Sequence, residues 1–293
     1  MNKISAKWML VLLTLFFLFQ ASSAMAMIKG IYISQATMEN PSQVKYLISR
    51  AKKVGIHTFV VDLERTSPAY EKSIKLIKES GISYVARIII FPNNGGTANL
   101  VHSQAYWEKR YRLAQKALNL GADQIQLDYI RYNPKHGGSA QNAKDIFKII
   151  SWFKSKVGVP LQVDVFGIAS FGPSKYIGQD IVLFSKGVDA ICPMVYPSHF
   201  EPYKVHAVTP YETVYKSLAS IRKQFNNKPL PFKLIPYIEL SNYRYPLSRA
   251  KKLNYIYAQI QAAENANADG WYVWSPQNYY DNLFQVLETR KVR

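Results

Sequence analysis

Residues 121–134 read GADQIQLDYIRYNP, an apolar, strand-like segment from Ile125 that ends in Asp128, Arg131 and two tyrosines. A buried carboxylate is costly unless it is paired or solvated. Asp128 therefore either marks the point where a strand opens into a cleft or is a satisfied structural aspartate inside a core. The segment is the fourth of eight short apolar, β-branched runs, at 28–34, 57–63, 84–91, 124–129, 161–166, 190–196, 233–238 and 271–274. Longer amphipathic stretches separate them, which is the pattern of successive β-α units. Helices are predicted over 41–54, where Pro41 opens and Gly55 stops the run, and over 70–80, stopped by Gly81. Further helices start near residues 104, 139, 175, 210 and 249, and a last one spans 280–290. Eight units in a chain of this size fit a single-domain (β/α)8 TIM barrel of the α/β class. The competing open, doubly wound sheet lacks its Gly-rich phosphate loop after the first strand.

The N-terminus reads differently from the rest. Lys3 and Lys7 precede an apolar run from Trp8 to Phe19, and Ala24-Met25-Ala26 supplies a small-x-small cleavage site. Residues 1–26 are thus predicted to be a signal peptide, leaving the barrel domain at 27–293 and a secreted or periplasmic protein. The chain has 37 Lys+Arg against 19 Asp+Glu; without Lys3 and Lys7 the count is 35 against 19, a charge of +16. Such a protein is drawn to anionic surfaces. No nucleic-acid recognition motif is present and the lysines are scattered, so wall polymer, lipid headgroup or acidic glycan is the expected contact, with no nucleic-acid partner. Cys192, the only cysteine, lies in the strand-like AICPMVY and reads as packing.

Active sites of such barrels form at the C-terminal ends of the strands. The fourth run ends in Asp128, the fifth (LQVDVFG) carries Asp164, and Glu239 follows the seventh. Asp62 and Glu64 end the second, in the polar stretch DLERTSP, and there a helix cap or loop-ordering role is favoured. Asp128 and Asp164 end neighbouring strands. Two close carboxylates split their pKa values into one proton donor and one ionised group, the division that glycoside hydrolysis uses. Tyr196 and His199, from PMVYPSH, and Trp274, from GWYVWSP, supply sugar-stacking and hydrogen-bonding surfaces. By alternation Trp271 and Tyr129 are expected to face away from the mouth. Arg87, inside VARIIIFP, needs a carboxylate partner, Asp128 or Asp62; Arg131 either touches substrate or fixes its loop. His57, His102, His136, His199 and His206 form no H-E-x-x-H pair, and neither a G-x-S-x-G elbow nor a P-loop occurs. No metal or cofactor is expected.

Taken in order, RIIIFP, QLDYIRY, VDVFG, IGQD, PMVYPSHF and the closing W-x-x-W strand resemble a bacterial family of glycoside hydrolases with a (β/α)8-barrel domain. The resemblance implies a barrel related to carbohydrate-active enzymes, often exported, with the aspartates of its fourth and fifth strands at Asp128 and Asp164. The family usually carries an aspartate after the seventh strand, where this chain has Glu239. The combined expectation is a monomeric glycosidase acting on a polysaccharide, possibly anionic, with Asp128, Asp164 and Glu239 catalytic and Arg87, Arg131, Tyr196, His199 and Trp274 on the substrate. By analogy with other barrels, Asp128 is the nucleophile and Asp164 the acid/base. The alternative is a non-catalytic glycan-binding barrel of the cell envelope.

Overall fold

The computed structural model describes residues 27–291; the segment read as a signal peptide lies outside the described residues. Nine strands form one sheet: β1 (Ile28–Ile33), β2 (Thr58–Asp62), β3 (Ser83–Ile89), β4 (Gln124–Asp128), β5 (Leu161–Phe166), β6 (Ala190–Met194), β7 (Lys233–Leu234), β8 (Tyr237–Glu239) and β9 (Gly270–Trp274). Every neighbouring pair is parallel, and pairing of β5 with β6 closes the sheet. β7 and β8 are two halves of one stave: β7 pairs with Ala190 and Ile191 of β6, and β8 with Met194. Pro236 lies between them and brings no N–H to the ladder. The result is the closed (β/α)8 barrel.

The main helices following the staves are α1 (Pro41–Val54), α2 (Pro68–Glu79), α3 (Gln104–Asn119), α4 (Ala140–Val157), α5 (Ile181–Phe184), α6 (Pro210–Gln224), α7 (Arg249–Asn265) and α8 (Asp281–Lys291). Their starts follow local chemistry. Ser67 accepts from the Tyr70 amide at 3.0 Å ahead of Pro68, which satisfies an orphan donor of the first turn. The fifth helix departs from expectation. Instead of starting near 175, the chain makes a 3-10 turn over Gly167–Phe171 and a small loop closed by the Ser174–Gln179 bridge. Only then does Asp180 cap the single turn of α5, accepting from Leu183 N at 2.9 Å. Gly178, at φ +63, holds that loop in a conformation other residues adopt at a cost.

Strand alternation sorts the side chains into two cores. Ile31, Ile33, Val61, Leu127, Val163, Trp271 and Val273 point outward and are buried under the helices. Tyr32, Val60, Val85, Cys192, Tyr237 and Tyr272 fill the barrel. Below the mouth this interior is polar but satisfied. Gln126 donates to Gln162 at 2.9 Å, Gln162 to Gln124 at 2.7 Å, and Tyr237 to Gln126 at 2.8 Å. Cys192 donates to Gln162 at 3.4 Å, and burial raises its thiol pKa, which keeps it an inert packing group.

Closure between β1 and β9 leaves no room beside Gly270, which pairs with Ile28. A Cβ there would lie 2.1 Å from the Ile28 carbonyl oxygen. Gly270→Ala is expected to cost about 2 kcal/mol and to lower the melting temperature by about 4–8 °C, measured by circular dichroism; an unchanged melt would show that this seam is not tight.

Candidate active site

The register of the first five staves brings four charged side chains to one level of the barrel mouth. Asp62 pairs with Arg87, Ile89 with Asp128, and Leu127 with Val163, one step below Asp128 and Asp164. Inward alternation then turns Asp62, Arg87, Asp128 and Asp164 toward the axis. The Arg87 guanidinium bonds Asp62 through Nη1 and Asp128 through Nη2, and its Nε lies 3.5 Å from Asp164 Oδ2. Tyr32 donates its hydroxyl to the second oxygen of Asp62, and the Tyr129 amide donates to the second oxygen of Asp128.

The three carboxyl groups are buried around a single cation. Burial opposes the charge on Arg87, but Asp128, Asp62 and Asp164 together hold its pKa above the ordinary value. Burial, then the charge of Asp128, pushes the Asp164 carboxyl well above the usual carboxylate range, against the pull of Arg87. Its Oδ1 is buried with no hydrogen-bond partner among the described residues. A carboxyl shifted toward its neutral form, with an unmatched oxygen, beside one bonded by arginine is an asymmetric pair suited to proton transfer.

Above this cluster opens a cleft of about 560 Å³ lined by Asp128, Asp164, Tyr196, His199 and Trp274 among others. Trp274 stacks on Tyr196 with centroids 5.2 Å apart and planes 23° apart, and His199 meets Tyr196 edge-on at 5.4 Å. Trp271 is fully buried beneath the helices.

Several residues fall elsewhere than expected. Glu239 does not line the cleft: it is fully buried and spent on local structure. Its Oε1 accepts from Ser198 N at 2.8 Å and the Tyr255 hydroxyl at 2.6 Å, and its Oε2 accepts from Ser198 Oγ at 2.8 Å. His199 Nδ1 lies 3.3 Å from that oxygen, so Glu239 braces the turn that presents His199. Arg131 packs behind the wall, its guanidinium 4.6 Å from the Phe166 ring centroid and 5.8 Å from that of Tyr129. Asp62, for which a cap or loop-ordering role was favoured, is a partner of Arg87, one of the two named for that arginine, and Arg87 bonds both; Ser67 does the capping. Tyr129 enters the cleft because its φ is +50, a left-handed turn that breaks the alternation. Phe166, Phe200, Glu201 and Tyr237 also line the cleft. Of these Tyr237, two residues before Glu239 on its stave, and Phe166, two residues after Asp164 on β5, were open to prediction by alternation.

The geometry can be set beside known proteins. Residues 97–280 match the family described as "Putative glycosyl hydrolase domain". The chain belongs to this glycosyl hydrolase family. The match spans β4 to β9, including Asp128 and Asp164, while Arg87 and Asp62 precede it. No curated protein sequence is significantly similar to the chain. Among solved structures, the Rhizomucor miehei endo-1,4-beta-mannanase is similar at TM-score 0.66 and 10% identity, over 91% of this chain and 94% of that one. The Bacillus cereus spore cortex-lytic enzyme SleL gives 0.65 and 12%, over 89% and 74%. A class V chitinase from Pseudomonas fluorescens Pf-5 gives 0.63 and 10%, over 90% and 99%. At such identities the likeness is one of fold.

Removing the cation tests the electrostatics. Arg87→Ala leaves three buried carboxyl groups unpaired, with a cost of about 3–5 kcal/mol at neutral pH. Arg87 is what lowers the Asp164 carboxyl against burial and the charge of Asp128; without it Asp164 lies further above its unfolded value, so stability is lost as pH rises through the folded value. The deficit against wild type should therefore be smaller at about pH 4 than at about pH 7.5 in denaturant unfolding; an equal deficit at both would contradict the shared-cation account.

Proposed function

We propose that the protein is an exported glycosidase that cleaves a polysaccharide or other envelope glycan by a two-carboxylate mechanism, with Asp128 as nucleophile and Asp164 as acid/base. One observation carries the reading: Asp128 and Asp164 meet the same guanidinium, Asp128 at Nη2 and Asp164 at Nε. Two carboxyls that share one guanidinium form a close pair, which supports the arrangement of a retaining mechanism. Asp128, held as a carboxylate by Arg87 and the Tyr129 amide, attacks the sugar carbon. Asp164 gives its proton to the departing oxygen, which also supplies the partner that Oδ1 lacks. Water then cleaves the glycosyl ester and returns a proton to Asp164. Trp274, stacked on Tyr196, offers its outer face to a sugar ring, and His199 an exposed hydrogen-bonding edge. Export rests on residues 1–26, and an anionic envelope glycan on the +16 charge of residues 27–293.

Asp128→Asn and Asp164→Asn should each reduce release of sugar from envelope polysaccharide by at least about 10³-fold, while thermal melts and glycan binding stay close to wild type. Chromatographic assay of released sugars beside calorimetric binding reads both. Binding by wild type with no release would instead favour the non-catalytic barrel.

A further inference from the structure

The two sides of the cleft differ in chemistry. Tyr196, His199 and Trp274 carry polar edges as well as ring faces. Beside them, on β5, β6 and the turns that follow, Phe166, Gly167, Ile168, Met194 and Phe200 line the cleft without a side-chain N–H or O–H among them, with Glu201 next along the chain. Ile168 is 56% exposed, and Phe171, edge-on to Phe200 at 6.0 Å, is 50% exposed. Clustered apolar side chains left open to water mark a binding surface unless the segment is loose. This one is tied down. Gln224 donates to Ser170 O at 2.8 Å and to Ala169 O at 3.3 Å, and Gln179, from the IGQD motif, accepts from Phe166 N at 2.8 Å. Phe200 packs directly over Gly167, where a Cβ would meet its ring at 2.3 Å.

The location of this wall gives it a role. It begins two residues after Asp164, on the same stave and the turn that follows. A general acid protonates the leaving oxygen, so the group that departs lies on the acid's side of the broken bond. Against the side chains of Phe166, Ile168 and Phe200 a further sugar would surrender hydroxyl hydrogen bonds to water and find none in return. We infer that Phe166, Ile168 and Phe200, with Phe171 at the outer edge, form an apolar leaving-group subsite, which narrows the proposed substrate to an envelope glycan carrying an alkyl or aryl aglycone at the bond cleaved. In the reaction the Asp164 proton goes to the glycosidic oxygen as its bond to the sugar carbon breaks, Asp128 takes that carbon, and the aglycone leaves as an alcohol or phenol. The assignment of the wall to the leaving group rests on the acid role of Asp164; the apolar subsite itself does not.

The test is calorimetric titration of the protein with methyl, butyl, hexyl and octyl β-D-glucopyranosides, beside the polysaccharide hydrolysis assay. Affinity should rise along the series by about fourfold per methylene seated on the wall. The slope should flatten in Ile168→Ser and in the Ile168→Ser/Phe171→Ser pair, each checked by thermal melt. A flat series in wild type overturns the inference, and so does a steep one that the serine variants leave unchanged, since the chain would then bind elsewhere. A flat series with hydrolysis still dependent on Asp128 and Asp164 discards the apolar subsite and keeps the glycosidase. A steep, wall-dependent series with hydrolysis indifferent to Asp164 overturns the leaving-group assignment.

Discussion

Arg87 meets three buried carboxylates, and the mouth of the barrel is organised around that contact. One cation cannot balance three anions in a site removed from water. The Tyr32 hydroxyl and the Tyr129 amide relieve Asp62 and Asp128. Asp164 receives only the longer 3.5 Å contact and keeps one oxygen without a partner. The same imbalance that costs stability thereby sets Asp164 apart from the other two carboxyls, in the direction of the neutral form. The acid and nucleophile roles proposed for Asp164 and Asp128 need this inequality, and it arises from unequal shares in a single guanidinium.

The fold was legible because each β-α unit repeats the same physical statement. A β-branched run buried on both faces demands a helix on its outside, and eight such runs close more economically than they spread. Prolines, glycines and Ser/Asn caps set most helix starts within a few residues of those expected. Two elements escaped. The seventh run is broken at Pro236, since apolarity alone does not reveal where the ladder loses its donor. The fifth helix shrank to Ile181–Phe184 because the preceding residues are spent on the turn and bridge that shape the cleft wall.

The candidate site was legible to the extent that alternation and strand order determine it. Asp128 ends β4 and Asp164 lies two residues from the end of the adjacent β5, in matching phase, which suffices to predict that they face one cleft. Glu239 obeys the same parity yet serves Ser198 and Tyr255, because what a carboxylate does at a strand end depends on donors brought by distant residues. Asp62 could be named only as one of two possible partners of Arg87; the register, which sets the two side by side, shows that it is taken. Tyr129 was hidden by a left-handed backbone that no side-chain pattern announces. Phe200 and Glu201 reach the cleft from the loop that follows β6, where periodicity carries no information, whereas Phe166 shares the phase of Asp164 on β5.

The central claim is that Asp164 holds a proton beside an ionised Asp128. Carbon-13 NMR titration of aspartate-labelled protein, with Asp164 assigned by the loss of its signal in Asp164→Asn, reads this directly. The account predicts that the Asp164 carboxyl titrates well above the exposed aspartates, and that its midpoint falls in Asp128→Asn, where the neighbouring negative charge is gone. A wild-type Asp164 that titrates together with the exposed aspartates, or one indifferent to Asp128, would contradict it.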